Sequence, residues 1–393
     1  MTTPLERMSD GHPVIFLSAA EASGDAHAAD LVVALRRRFP GARLVGVTGE
    51  KMARAGCESV ADFTRSAAMM GNVLATLGYW IRAVRSVRRA IREIRPDLFI
   101  PVDSPALNWS LAKTARQGGA RVMHYICPQI WAWAPWRITK LARLTDHVAC
   151  ILPFEQRYLR DRGIEATYVG HPLFDQVPPR PAELPNLLDA WADGEWRIVL
   201  LPGSRASEIR YHAPALLAAA AALRRRWPKA RCFLSARTAE CDRIVRRVCS
   251  AQAVRHAEIV VGRTAELLAD AHFALAGSGT VTLEVAHYGV PMVTFYRTSR
   301  LLHAVLAVLG RWAVPTPHFA LVNILAGQRL VPELIPWHGD SRQLVRVVRE
   351  SMEDLGGLLE TRERLLAMTD SLRLPAGQTA ADNAAAVAAE MLA

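Results

Sequence analysis

The stretch His272-Phe273-Ala274-Leu275-Ala276-Gly277-Ser278-Gly279-Thr280-Val281-Thr282-Leu283-Glu284-Val285-Ala286-His287-Tyr288-Gly289-Val290-Pro291-Met292-Val293-Thr294-Phe295-Tyr296-Arg297 decides how this chain is read. An apolar run at 273–276 ends in Gly277-Ser278-Gly279, and a short helical pattern from 280 to about 288 is closed by Gly289 and Pro291. A β-branched and aromatic run at 293–296 follows. That order predicts strand, glycine turn, helix, strand: a βαβ unit. Glycine lets backbone approach a ligand closely, and the unpaired N–H groups that open a helix suit a phosphate. Glu284 stands about one turn into the helix, and Val281 lies three residues before it, so no capping box accounts for it. A carboxylate there can accept hydrogen bonds from both hydroxyls of a ribose while the helix start holds a diphosphate. A solvated helix glutamate beside a packing turn is the plainer alternative.

Working outward, a strand at 197–201 ends in Pro202-Gly203-Ser204-Arg205-Ala206-Ser207-Glu208, a second strand-to-glycine turn. Arg205 is placed there either to pair with phosphate oxygens or simply as a surface arginine. A strand at 14–20 runs into Glu21-Ala22-Ser23-Gly24-Asp25 and a helix at about 26–38. The carboxyl ends of such strands are where doubly wound sheets place ligands. A strand at 98–102 delivers Asp103, which suits a general base or, before Pro105, a helix cap. The run from Ala34 to Arg43 recurs from Ala222 to Arg231 as Ala-Leu-Arg-Arg-Arg-aromatic-Pro-x-Ala-Arg. Both runs put cations at a helix C-terminus and a proline after it. The match is either coincidence between two helix endings or a mark of equivalent places in two similar halves. The Pro-rich stretch 177–185 is the natural linker.

At 393 residues the chain should form about two domains, and 51% hydrophobic with 22% charged residues excludes global disorder. The first ten residues hold no apolar signal core, and no apolar run reaches about 18 residues, so neither secretion nor a spanning helix is expected. Six scattered cysteines fit a reducing cytoplasm. With no Asp-x-Asp pair and no His/Cys ligand spacing, no metal and no other cofactor is expected. The net charge of +11 suits nucleic acid or an anionic membrane surface. Met69, Met70, Val73, Leu74, Leu77, Trp80 and Ile81 form an apolar helical face, and Arg82, Arg85, Arg88, Arg89, Arg92 and Arg95 follow as a basic stripe. That pattern describes a helix in an anionic lipid interface, or a core-facing helix with a solvated back. Residues 301–314 suit an interfacial or buried helix, and the tail from about 342 is helical and alanine-rich.

Taken together the residues resemble the lipid-A-disaccharide synthase family. The resemblance is carried, in the family's order, by Glu21-Ala22-Ser23-Gly24-Asp25, Met70-Gly71 with Leu77-Gly78, Val102-Asp103-Ser104-Pro105 with Asn108, and His124-Tyr125 with Pro128-Gln129-Ile130-Trp131-Ala132-Trp133. It continues through Leu152-Pro153-Phe154-Glu155, Gly170-His171-Pro172, Leu201-Pro202-Gly203-Ser204-Arg205 with Glu208, and Ser278-Gly279-Thr280 to Glu284. Pro291-Met292-Val293 with Tyr296, Asn323 with Leu325-Ala326-Gly327, and Pro332-Glu333 complete it, so that residues 14–390 are covered.

The resemblance implies an α/β GT-B glycosyltransferase, two Rossmann-like doubly wound domains facing a central cleft. The domains are expected at 1–176 (acceptor and membrane docking) and 177–365 (UDP-sugar), with a helical tail at 366–393 that packs back on the first. The implied reaction moves 2,3-diacylglucosamine from UDP to the 6-hydroxyl of 2,3-diacylglucosamine 1-phosphate, with inversion, giving a β-1,6 disaccharide 1-phosphate and UDP. Asp103 is then the candidate base and Arg205 a diphosphate contact. Ser204, Gly277, Ser278, Gly279, Thr280, Glu284 and Asn323 line the UDP-sugar site, and Glu21, Ser23 and Gly24 face the acceptor. The 69–81 helix face becomes the membrane and acyl surface of a peripheral protein on the cytoplasmic side of the inner membrane, with no nucleic acid and room for a homodimer. Two departures stand out: Pro336 where the family usually has glutamine, and Ala134 where a basic residue is usual. The competing readings are a GT-B UDP-N-acetylglucosamine transferase or epimerase with another acceptor, and a non-catalytic nucleotide-sugar-binding membrane protein.

Overall fold

The computed structural model describes residues 11–63, 73–297, 317–337 and 340–393. The helix expected at 301–314 therefore lies outside the described residues. The chain divides into two units, residues 1–175 with 374–393 and residues 176–373. Each is a Rossmann-like, doubly wound parallel sheet, as the GT-B class requires.

The first unit is built on β1 (Val14–Ala19), β2 (Arg43–Val47), β3 (Glu58–Ala61), β4 (Leu98–Val102), β5 (Arg121–Tyr125), β6 (His147–Cys150) and β7 (Ala166–Tyr168), in the order β3-β2-β1-β4-β5-β6-β7. A parallel sheet is covered on both faces, which is why β1 and β4 are buried throughout and, Ser18 apart, apolar rather than alternating. Ile15, Leu17 and Ala19 pack towards helix Ala22–Arg38 and the C-terminal helix Ala380–Leu392. Phe16 and Phe99, stacked at 5.7 Å, face helices Val73–Ile94 and Pro105–Gln117 instead. Ala381, Ala384, Ala385 and Ala388 make one small-residue stripe, which lets the C-terminal helix bury against helix Ala22–Arg38.

The second unit repeats the plan with β8 (Arg197–Leu201), β9 (Arg231–Ala236), β10 (Glu258–Val261), β11 (Phe273–Gly277), β12 (Met292–Arg297) and β13 (Glu333–Trp337), in the order β10-β9-β8-β11-β12-β13. The two matching arginine runs sit at equivalent places, each ending the helix between a unit's first and second strands. Their caps are alike. Phe39 N–H donates to Leu35 O at 2.7 Å and Trp227 N–H to Leu223 O at 2.8 Å, with near-identical φ and ψ.

The stretch 177–185 is no free tether. Pro178 O accepts from His287 Nε2 at 3.1 Å and from Tyr288 Oη at 3.2 Å. Arg180 forks onto Asp370, and Arg362 donates to Pro185 O at 2.7 Å. Proline composition announced a linker, but its carbonyls and one arginine bind it to the second unit. Pro336 falls in β13, an edge strand, where a missing N–H interrupts no interior ladder.

Candidate functional site

In both units the strand order reverses between the first strand and the fourth, β1 beside β4 and β8 beside β11. Crossover helices leave in opposite directions on either side of that reversal, so the carboxyl ends there open a crevice. The candidate residues collect at these two points.

In the second unit, Leu201 pairs with Ala276, which sets the two glycine turns side by side. Gly203 has φ +104°, and a Cβ on it would collide with the Glu208 side chain. Glu208 fills the anion position of its own helix start: Oε2 accepts from Ser204 N–H at 3.1 Å and Arg205 N–H at 3.2 Å, and Oε1 accepts from Arg205 Nη1 at 3.3 Å. Arg205 is 68% exposed, so an incoming diphosphate can compete with Glu208 for it from solvent. Glu208, a motif residue with no role evident in the sequence, is the cap of helix Ala206–Arg226.

Ser278 N–H donates to Phe295 O at 2.9 Å, tying the second turn to β12, while Gly279 (φ +143°) and Thr280 are exposed. Among the described residues the N–H groups of Gly279 and Thr280 have no hydrogen-bond acceptor. Glu284 is half-buried on the following helix, Val281–His287. Burial pushes its carboxyl above the usual range, with the positive charge of Arg237 pulling the other way. Arg237, just after β9, was not picked out from the sequence.

Asn323 stands apart from the turns. It is fully buried: Oδ1 accepts from Leu330 and Val331 N–H at 2.8 and 2.9 Å, and Nδ2 donates to Val331 O and Glu333 Oε2. Its amide is saturated by its own loop. Glu333 Oε2 also accepts from Ala320 N–H at 2.9 Å, so the pair fixes the segment leading into β13.

In the first unit, Glu21 and Ser23 are exposed at the end of β1 and Gly24 is buried, with space for a Cβ only 3.7 Å from Val102 O. Asp103 follows Val102 directly, so the structure brings it together with Gly24. Asp103 (φ +49°) and Ser104 (φ +42°) are consecutive left-handed residues without being glycine, a strained pair. Asn108 locks them. It is fully buried, accepts from Ser18 Oγ at 2.7 Å and donates through Nδ2 to Asp103 O at 2.8 Å and to Val102 O at 3.2 Å. Asp25 is engaged at the start of helix Glu50–Arg54, accepting from Gly49, Lys51 and Met52 N–H.

Burial, then Glu155 and Cys150, raise the Cys127 thiol in the aromatic loop after β5, and the loop lies close enough for the charge of Asp103 to add to them. Buried Glu155 orders that loop by accepting from Trp131 Nε1 at 3.0 Å and Leu152 N–H at 3.1 Å. Burial lifts its carboxyl to about 7. Ala134 is itself buried between helix Ile130–Trp133 and the turn Pro135–Arg137, a place with little room for a basic side chain.

Met69 and Met70 lie outside the described residues. Val73, Leu74 and Leu77 belong to helix Val73–Ile94, but their side chains lie outside the description too. The remaining two part company. Trp80 stacks on buried Phe63 at 5.0 Å and so turns towards the core, whereas Ile81 is 43% exposed beside exposed Arg82 and Arg85. No described helix is long and apolar enough to cross a membrane.

Comparison with known proteins agrees with this geometry. The family described as lipid-A-disaccharide synthetase matches residues 15–373. A lipid-A-disaccharide synthase of Geobacter metallireducens is 34% identical over 89% of this chain and 92% of its own length. One of Verminephrobacter eiseniae is 39% identical over 82% of each. Among solved structures, an S. aureus MnaA–UDP co-structure aligns over 96% of this chain and 95% of that one, with TM-score 0.57 and 11% identity. A UDP-GlcNAc 2-epimerase of Neisseria meningitidis bound to UDP-GlcNAc aligns over 96% and 99%, again with TM-score 0.57 and 11% identity. At that identity the two structures attest the fold alone.

Proposed function

The chain belongs to the lipid-A-disaccharide synthase family, and from that premise we propose how its two switch points divide one reaction. The protein is a glycosyltransferase that forms the lipid A disaccharide from a UDP-sugar. In this reading the donor is UDP-2,3-diacylglucosamine and the acceptor 2,3-diacylglucosamine 1-phosphate. The observation that carries it is that each unit places its candidates at its own strand reversal, Glu21, Gly24 and Asp103 after β1 and β4, and Ser204, Arg205 and Ser278 after β8 and β11.

The second unit takes UDP. Gly277, Ser278, Gly279 and Thr280 present backbone to the diphosphate, Glu284 accepts from the ribose hydroxyls, and Ser204 and Arg205 approach from the neighbouring turn. Asn323 acts through the loop it fixes. The first unit takes the acceptor at Glu21, Ser23 and Gly24. Asp103 removes the proton of the 6-hydroxyl as its oxygen attacks the anomeric carbon. The bond to UDP breaks on the opposite face, which inverts the centre, and UDP leaves with the electron pair. Arg205, released from Glu208, and the helix starts stabilise that departing charge.

The lipid partner is reached through helix Val73–Ile94, on the cytoplasmic face of the inner membrane. Among the described side chains of that helix Ile81 is an exposed apolar residue, and Glu93 is the only carboxylate in its sequence, against five arginines. Its neighbour Pro105–Gln117, joined by Arg88 Nε donating to Thr114 Oγ1 at 2.9 Å, carries Lys113 and Arg116 and no carboxylate. Much of the net positive charge thus lies on one helical layer, which suits anionic lipid headgroups. The test is UDP release from the two substrates, given singly and together. Release only with both, with formation of a tetra-acylated disaccharide phosphate, is the expected result. Release from the donor alone, or with unacylated acceptor, would overturn the assignment.

A further inference from the structure

We propose that His212 is a positioning residue of the UDP site, a neutral imidazole that sets the spacing between the Gly203–Arg205 turn and the carboxyl end of β12. The inference rests on UDP binding at the second switch point. His212 lies on helix Ala206–Arg226 and is 1% exposed, within the stripe Ile209, His212, Ala213, Leu216 that an all-apolar face would occupy. Its two nitrogens have different partners. Nδ1 lies 2.8 Å from Pro202 O, at the end of β8, and Nε2 lies 3.2 Å from Arg297 N–H, at the end of β12. A carbonyl oxygen only accepts and a backbone N–H only donates. The proton is therefore on Nδ1, and Nε2 is the acceptor.

The ring also fills the space under the Ser278 turn. A Cβ on Gly277 would stand 3.5 Å from Nδ1, and the imidazole meets Phe295 and Tyr296 edge-on at 5.0 and 5.5 Å. One side chain thus links the ends of β8 and β12 and lies against the end of β11, where β8 and β11 deliver the two glycine turns. Desolvation alone would favour a hydrocarbon at this position; a histidine is suited to it because two backbone groups at the strand ends need a donor and an acceptor.

Protonation would place an Nε2 proton against the Arg297 N–H and break the link to β12. Burial holds the imidazole below its ordinary pKa. The charged groups that act on it are Glu208 on its own helix and Arg297 on β12, which pull in opposite directions. The link is therefore intact through neutral pH and is lost as pH falls through the imidazole's folded-state value, which burial places below the ordinary value of about 6.5.

The experiment uses three variants, with UDP affinity measured by calorimetry and kinetics resolved into kcat and the KM of each substrate. His212→Phe keeps the ring and loses both hydrogen bonds. His212→Asn keeps a donor near the Nδ1 position, and His212→Gln an acceptor near the Nε2 position. Expected are a folded His212→Phe with UDP affinity down on the order of tenfold, the size of one or two lost hydrogen bonds, and a matching rise in donor KM. Acceptor KM should not move, and Asn and Gln should each recover part of the loss. The wild-type decline of UDP affinity on the acid side should flatten in His212→Gln. Wild-type UDP affinity in a folded His212→Phe would overturn the proposal. So would a loss spread equally over both substrates, or an acid limb unchanged in His212→Gln. Failure of the wild type itself to bind UDP would instead reject the site reading on which the proposal rests.

Discussion

The two switch points share a topology and solve it with opposite backbone chemistry. In the second unit the tight turns use glycine, at Gly203 (φ +104°) and Gly279 (φ +143°). In the first, the equivalent turn after β4 places Asp103 and Ser104 in the left-handed region, where a side chain costs roughly 1–2 kcal/mol per residue. The difference follows from what each turn presents. A phosphate-binding turn offers backbone N–H groups, and a Cβ would only obstruct them. A turn that delivers a base must carry a carboxylate, so glycine is not open to it. The strain is held instead by Asn108, whose amide ties Asp103 O and Val102 O to Ser18.

The sharpest way to break this comparison is at Asp103 itself. Asp103→Asn should lower kcat on the order of 10³-fold, in the range expected for a lost general base, with UDP affinity unchanged by calorimetry. Retained turnover would leave the strained turn without a chemical reason. Next in size, Asn108→Ala removes a buried amide that satisfies four backbone or hydroxyl partners. A stability loss of about 2–3 kcal/mol by urea unfolding, with kcat falling far more than donor affinity, would show that the lock serves the acceptor side. A fall in donor affinity instead would mean the two points are not separate in function.

The glycine half was the more legible in the sequence, for the same physical reason. Gly277-Ser278-Gly279 and Gly203 announce themselves, because only glycine takes those conformations freely. Nothing in Val102-Asp103-Ser104-Pro105 signals a left-handed pair, since the restraint comes from Asn108 and from Ser18, which lies 90 residues before Asn108. His212 was equally hidden, and the signal was a single polar residue on an apolar helical stripe just after a phosphate turn. Glu208 followed the spacing of a capping box but with arginine where serine or threonine is usual, so its role as cap went unseen. Asn323 was visible as a motif residue, yet the saturation of its amide depends on Leu330, Val331 and Glu333 folding back over it. The burial of β1 and β4 on both faces, by contrast, follows from their composition alone.

The two remaining predictions set the halves against each other. Gly203→Ala should destabilise by about 1–3 kcal/mol, because its φ is left-handed and the new methyl group would displace Glu208 from the helix start. Weaker UDP binding should accompany the lower thermal midpoint. An unchanged midpoint would mean the turn tolerates a side chain, and the contrast with Asp103 would lose its second term.

Ser104→Gly should act in the opposite direction and more weakly. Removing a Cβ at φ +42° relieves local strain, while the unfolded chain gains freedom, so the net gain should be only about 0.5–1 kcal/mol. If that gain appears in urea unfolding together with a few-fold lower kcat, the strain is part of how Asp103 is aimed. If stability falls instead, the left-handed turn is not strained in the way its dihedral angles imply, and the first switch point differs from the second only in the side chain it presents.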